Sequence, residues 1–283
     1  MLSKLMKYDF RDQGRLQWPL QLGVLLGGIL AGFCMSYFVR TAQMMGDQQQ
    51  GPHTMQIVMV VIISLVMILI AASSIITQIL VGKQYYQNCF CDEGYLTFTL
   101  PVASSKVLLS KVITGSIWIL INLLAVLIGV GLFLLIGFGF DAKISAEIAQ
   151  GFAELKAEFA QFSTGFDLTW FIIQYVALTL ISAVASVVMV DFVVTLGNQL
   201  ARKHKILCAV CLYFLVTFII SAVSGVISSA MMLTVMSAGE VDWNVYFSAM
   251  NGVFTFTLVM SVVITAVMYY ITDRMLKNKL NLE

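Results

Sequence analysis

Hydrophobic residues in this chain fall into six long runs separated by short polar breaks, rather than into the period-two or period-3.6 patterns of a half-buried soluble fold. The runs cover about residues 18–39, 55–81, 107–138, 170–196, 206–233 and 250–271. At 1.5 Å rise per residue, about twenty such residues cross roughly 30 Å of hydrocarbon. Each run therefore predicts a membrane-spanning helix, the longer ones tilted or protruding. Pro19 is expected in the first turn of its helix, where a missing N–H costs nothing. Two further stretches predict amphipathic helices outside the spans. In residues 1–16, Leu2, Leu5, Met6 and Phe10 share one helical face while Lys4, Lys7, Arg11 and Arg15 take the rest, a pattern suited to a short helix in the headgroup region ahead of the first span. In the 141–167 connection, Ile148, Phe152, Leu155, Phe159 and Phe162 recur at helical spacing. That helix either rests on the bilayer and the other spans or caps the mouth of a translocation path.

Composition agrees with the pattern. The chain is 60% hydrophobic and only 11% charged, against roughly 25% charged residues in soluble domains, so the expected class is an all-α polytopic membrane protein, one domain over residues 1–283. No cleavable leader is expected, because the first apolar run follows a long charged lead and lacks a small-x-small cleavage site. Charge sets the orientation. Of the 16 lysines and arginines, an inside N-terminus leaves only Arg40, Lys143 and Lys156 outside, so thirteen lie inside. That bias predicts both termini in the cytoplasm. The basic turn GNQLARKHK between the fourth and fifth runs is then an inside hairpin suited to headgroup anchoring, and no basic run is long enough for nucleic acid.

Candidate chemistry is sparse. The two histidines, His53 and His204, fall on opposite sides of the membrane, which excludes a Ser/His/Asp set or a paired-histidine zinc site. There is no Gly-x-x-x-x-Gly-Lys-Ser/Thr phosphate loop, so the chain is not its own ATPase, and no enzyme is expected. Cys89-x-Cys91 and Cys208-x-x-Cys211 lack partner ligand pairs and read, with Cys34, as free thiols and small hydrophobes; no metal is expected. Asp191 is the ionisable residue set deep in a span, with Thr195 and Asn198 continuing its face. A charge there is costly, so it lines a translocation path or anchors a neighbouring helix, and the pattern leaves both open. Asn122, the serines at 221, 224, 228 and 229, and the glycines at 27, 28, 129, 131 and 225 read as helix-packing residues.

The densest polar interruption is residues 83–111, KQYYQNCFCDEGYLTFTLPVASSKVLLSK. Residues 83–90 extend the second span, and Asp92, Glu93 and Gly94 break the helix, glycine being a ready C-terminal stop. Tyr95 to Leu100 then form an apolar, aromatic patch before Pro101. Physically this is either a rigid docking knob for a partner or a loop packed on its own bundle.

The string CDEGYLTFTLPVASSKVLLSK resembles the DEGYLTFTLP signature of type-2 ATP-binding-cassette permeases, the membrane subunits of bacterial exporters, and continues through Ser105, Leu108, Leu109, Ser110 and Lys111. The N-terminal KYDF is similar to that family's amphipathic connecting helix, and LGNQLARKHK to its tight turn before the fifth span. The resemblance implies that residues 84–94 form a cytoplasmic coupling helix between spans two and three, seated in a groove of a separate ATPase subunit. Asp92, Glu93 and Gly94 would make that contact, with Tyr95 and Phe98 as packing anchors. It implies a second permease copy or a related permease, ATP and magnesium bound by the partner ATPase and not by this chain, and residence in the bacterial cytoplasmic membrane. No role carries over to Cys89 or Cys91. The alternative function, from the residues alone, is an ion-coupled secondary transporter using Asp191.

Overall fold

The computed structural model describes residues 2–45, 54–91, 94, 103–139, eight positions within 146–157, 168–201, 203–236 and 243–278. Six long helices account for almost all of them: α1 (Leu2–Met45), α2 (Thr54–Phe90), α3 (Ser104–Phe138), α4 (Leu168–Leu200), α5 (Lys205–Met236) and α6 (Trp243–Asn278). All six are long and apolar enough to cross a membrane, so the chain is a multi-pass membrane protein and the six expected spans are present. The described positions between 146 and 157 are helical, with the predicted anchors Ile148, Phe152, Leu155, Phe159 and Phe162 outside the described residues.

The helices are longer than the apolar runs that announced them. α1 has 44 residues, about 66 Å of helix. The N-terminal amphipathic stretch is therefore not a separate element; it runs without a break into the first span. Pro19 accordingly sits inside α1 and not in a first turn. Its ring removes the backbone bond to the Arg15 carbonyl. Contacts on either side hold the helix together there. Gln17 donates to the Thr77 carbonyl at 3.5 Å, and the Trp18 ring meets Trp118 edge-on at 5.6 Å.

The chain divides into two compact units. One comprises Arg11–Leu80 and Ile117–Ala157. Its apolar centre is Val24, Ile70 and Ala125, packed by Val66, Met67 and Val126. Here α1 crosses α3 at backbone contact distance: a Cβ built on Gly28 would stand 2.3 Å from the Gly129 carbonyl oxygen. One turn on, a Cβ on Gly32 would meet the Ile136 Cβ at 2.8 Å. Gly28-x-x-x-Gly32 thus acts as a small-residue stripe that lets two helices touch, where lipid tails offer no hydrophobic drive for association. Gly131 and Gly225, read from sequence as packing glycines, face nothing within 4 Å among the described residues of this chain. Gly28→Ala is expected to lower the thermal unfolding midpoint in detergent, by roughly 1–3 kcal/mol of overpacking strain. Gly131→Ala, which meets open space, is the matched control and should leave the midpoint unchanged.

Below that crossing the same unit buries a polar seam. Gln13, Gln17 and Gln21 lie four residues apart on one face of α1 and are all buried. Asn122 of α3 donates to the Gln21 side-chain oxygen at 3.0 Å and approaches the Ser73 hydroxyl of α2 at 3.3 Å. The packing role expected of Asn122 is thus an interhelical hydrogen bond to two neighbours.

The other unit comprises Met1–Phe10, Val81–Ser116 and Glu158–Glu283. α4 is its axis, packed on both α5 and α6. Gly197 of α4 lets Ala209 of α5 approach so closely that a Cβ would sit 2.8 Å away. Gln174 donates to the Thr255 hydroxyl of α6 at 3.0 Å, and Phe171 meets Phe254 edge-on at 5.1 Å. The serines expected to join α5 to its neighbours do something simpler where a bond is seen: Ser229 donates to the Val226 carbonyl of its own helix.

Candidate functional site

A membrane helix satisfies its own backbone, so polar side chains that turn inward must find each other. In the unit built around α4 they converge at one buried cluster. Asp191 projects from α4 with 1% of its surface exposed. Four residues on, Thr195 donates its hydroxyl to the Asp191 backbone carbonyl at 2.7 Å, as helical Thr commonly does. That hydroxyl has one hydrogen, so its 2.9 Å contact with Tyr85 is donated by the tyrosine. The relay from Tyr85 to Thr195 to the α4 backbone ties the last turns of α2 to α4. Gly82, one turn earlier on α2, sits where a Cβ would be 2.7 Å from Val190.

The second half of the cluster is ionic. Lys111 of α3 pairs with Asp9 of α1, the two side chains 6% and 9% exposed. Ser110 donates to the other Asp9 oxygen at 2.8 Å. Asp191 lies within electrostatic reach of Lys111, and the buried Cys89 thiol within reach of Lys111, Asp191 and Asp9. Among the described residues, neither carboxyl oxygen of Asp191 finds a hydrogen-bond partner. The cluster therefore holds two acids and one ammonium, and the acid without a hydrogen bond is the one set in the span.

Asp191 is thus deeply buried and turned inward, as its cost in lipid requires, and Thr195 does continue its face. Asn198, one turn further, is half-buried, and its side-chain oxygen has no partner. Lys111 was counted from sequence among the cytoplasmic basic residues, at the end of the 83–111 interruption. It is instead a second buried ionisable residue, 5% exposed in the second turn of α3, because a carboxylate from the N-terminal stretch reaches it. Asp9, Tyr85 and Ser110 were not read from sequence as site residues. The signal for Asp9 was present: it stands four residues after Leu5 and three after Met6, an acid on the apolar face of its helix.

The segment after α2 is partly described. α2 ends at Phe90, so residues 84–90 are its last two turns and not a separate helix. Gly94 is buried, and its N–H donates to the Cys91 carbonyl at 2.7 Å. A Cβ on Gly94 would stand 2.7 Å from the Cys89 carbonyl oxygen, so a side chain does not fit this turn. Asp92, Glu93, Tyr95 and Phe98 lie outside the described residues. Beyond them the chain is firmly placed. Ser105 donates to Asp273 of α6 at 2.7 Å and accepts from the Tyr269 hydroxyl at 3.4 Å, and Leu108 is fully buried. Asp273 also accepts from Lys277 at 2.5 Å. Residues 105–111 therefore clamp the start of α3 to both the first turns of α1 and the last turns of α6.

All five cysteines are free, Cys89 buried and Cys91 exposed. Among the described residues no group of three or more His, Cys, Asp or Glu is arranged to hold a metal. No family model, curated protein or solved structure matches this chain.

Proposed function

We propose that this chain is the membrane permease subunit of an ATP-driven transporter of the type-2 ATP-binding-cassette class, working as an exporter in the bacterial cytoplasmic membrane. The observation that carries the reading is the DEGYLTFTLP-like string, residues 92–101, set in the connection between the second and third of six apolar helices. In this reading both termini and that connection face the cytoplasm. A separate ATPase subunit docks there through Asp92, Glu93 and Gly94, with Tyr95 and Phe98 as anchors, and a second permease copy or a related chain completes the path. ATP and magnesium belong to the ATPase.

The placement of the flanking residues supports a lever role. The connection leaves α2 just after Tyr85 and Cys89 and enters α3 just before Ser110 and Lys111, and all four belong to the buried cluster with Asp191. A displacement of the connection is therefore felt at both of its ends by one set of buried polar contacts. Those contacts have few neighbouring arrangements, which favours discrete states over gradual bending.

The test is assembly. A cassette ATPase is expected to co-purify with this chain from its native membrane, and Asp92→Lys/Glu93→Lys to lower ATPase retention and stimulated hydrolysis at least tenfold. Full binding and full stimulation by the reversed-charge variant would remove the docking assignment. A second reading, an ion-coupled carrier, is favoured by one observation: Asp191 is buried with both oxygens free of hydrogen bonds. It requires transport without any ATPase, driven by an ion gradient.

A further inference from the structure

The turn between α4 and α5 borders a wide, open cavity of about 640 Å³. Its lining changes character along its length. One end is cationic: Lys203, His204 and Lys205. The other is apolar: Ile206, Leu207 and Val210, which are 64%, 64% and 50% exposed. Tyr86 of α2 also lines the cavity.

Neither lysine has an ion pair with a described carboxylate, and the first turn of α5 holds no acidic residue. Two ammonium groups therefore gather at a helix start, where the backbone already favours an anion. Depth supplies the second argument. The apolar span of α5 begins at Lys205 itself, so the cationic end sits where a bilayer presents its phosphates. The apolar end continues down the span, where the acyl chains lie.

We propose that this cavity seats one anionic phospholipid, its phosphate held by Lys203, His204 and Lys205 and its upper acyl chain laid along Ile206, Leu207 and Val210. A free phosphate ester would use the cationic end and leave the apolar wall uncovered, so the amphipathic lining selects the lipid. The site is independent of what the protein transports, and none of the readouts below involves an ATPase.

Native mass spectrometry of the purified full chain in neutral detergent tests it, with dioleoyl phosphatidylglycerol, dioleoyl phosphatidylcholine and glycerol phosphate as probes. Phosphatidylglycerol is expected to bind at least tenfold more tightly than phosphatidylcholine, and glycerol phosphate not to displace it at equal concentration. Each lysine near a membrane surface is worth about fivefold in affinity, so Lys203→Gln/Lys205→Gln should bind phosphatidylglycerol roughly 25-fold more weakly. Lys203→Arg/Lys205→Arg, which keeps the charge, should stay within about twofold of the parent. Three results would each overturn the proposal: equal binding of the two lipids, unchanged phosphatidylglycerol affinity in the glutamine variant, or displacement of the lipid by equimolar glycerol phosphate. The lipid comparison on the parent chain decides the matter even if the glutamine variant does not fold.

Discussion

Lys111→Met is expected to destabilise the protein more than any other single substitution in the buried cluster. Methionine keeps most of the length and packing volume of the lysine stem and removes only its ammonium group. What remains is Asp9, 9% exposed at its side chain, and Asp191, 1% exposed, with no cation between them. Removing one partner from a buried ion pair costs about 3–5 kcal/mol, because the other charge stays buried and unmatched. Folded domains rest on a total of only about 5–15 kcal/mol, so at least about a fifth of the margin is at stake. The measurement is the thermal unfolding midpoint in mild detergent, compared across three variants. Lys111→Met should fall furthest. Asp9→Asn should fall less, since Lys111 keeps Asp191 within reach. Asp9→Asn/Lys111→Met should recover much of the loss, because removing both members of a buried pair is often close to neutral. If the double variant is as unstable as Lys111→Met, then Asp191 and not Asp9 is the charge that Lys111 chiefly compensates.

That the pair itself escaped a reading of the sequence has a physical reason. Spans announce themselves locally: an apolar run of twenty residues needs no knowledge of its neighbours, and all six were legible for that reason. Helix ends were less so. α1 runs without a break from Leu2, and in its third turn Asp9 finds buried partners instead of water. The cluster joins Asp9 to Ser110 and Lys111, and Tyr85 to Thr195, contacts about a hundred residues apart that no window of sequence contains. Lys111 entered only the count of cytoplasmic basic residues, because it stands five residues into an apolar run, where a lysine usually reaches back to the interface. Asp191 was legible because an acid in the middle of a span has no such escape. The glutamine seam was legible in principle, since Gln13, Gln17 and Gln21 repeat every four residues; the amphipathic reading of residues 1–16 attended instead to the apolar positions beside them. Among the glycines, spacing does not separate Gly28-x-x-x-Gly32 from Gly23-x-x-x-Gly27, whose Gly23 meets nothing described within 4 Å, and nothing local distinguishes Gly129, which is in contact, from Gly131, which is not.

Asp191→Asn decides between the two meanings left open for that residue. A structural acid is held by what it bonds. Here neither oxygen of Asp191 accepts a hydrogen bond, and the tie between α2 and α4 runs through the Asp191 backbone carbonyl, Thr195 and Tyr85. Asparagine keeps that backbone carbonyl and nearly the same side-chain volume. It leaves the Asp9–Lys111 pair as a balanced unit, with one buried carboxyl fewer to desolvate. The variant is therefore expected to unfold at the same temperature as the parent or a few degrees higher. Activity should move the other way. A residue kept at a cost to stability is kept for what it does, and in a membrane span that means a path, a proton or a moving contact. In the proposed permease, Asp191→Asn should lower ATP-driven transport at least tenfold while the ATPase still co-purifies. That outcome separates the acid from the proposed docking residues Asp92, Glu93 and Gly94. A fall in the unfolding midpoint worth more than about 2 kcal/mol would instead make Asp191 a helix anchor held by Lys111. Transport that survives without any ATPase and collapses on this one change would turn the protein into an ion-coupled carrier, with Asp191 as its ion site.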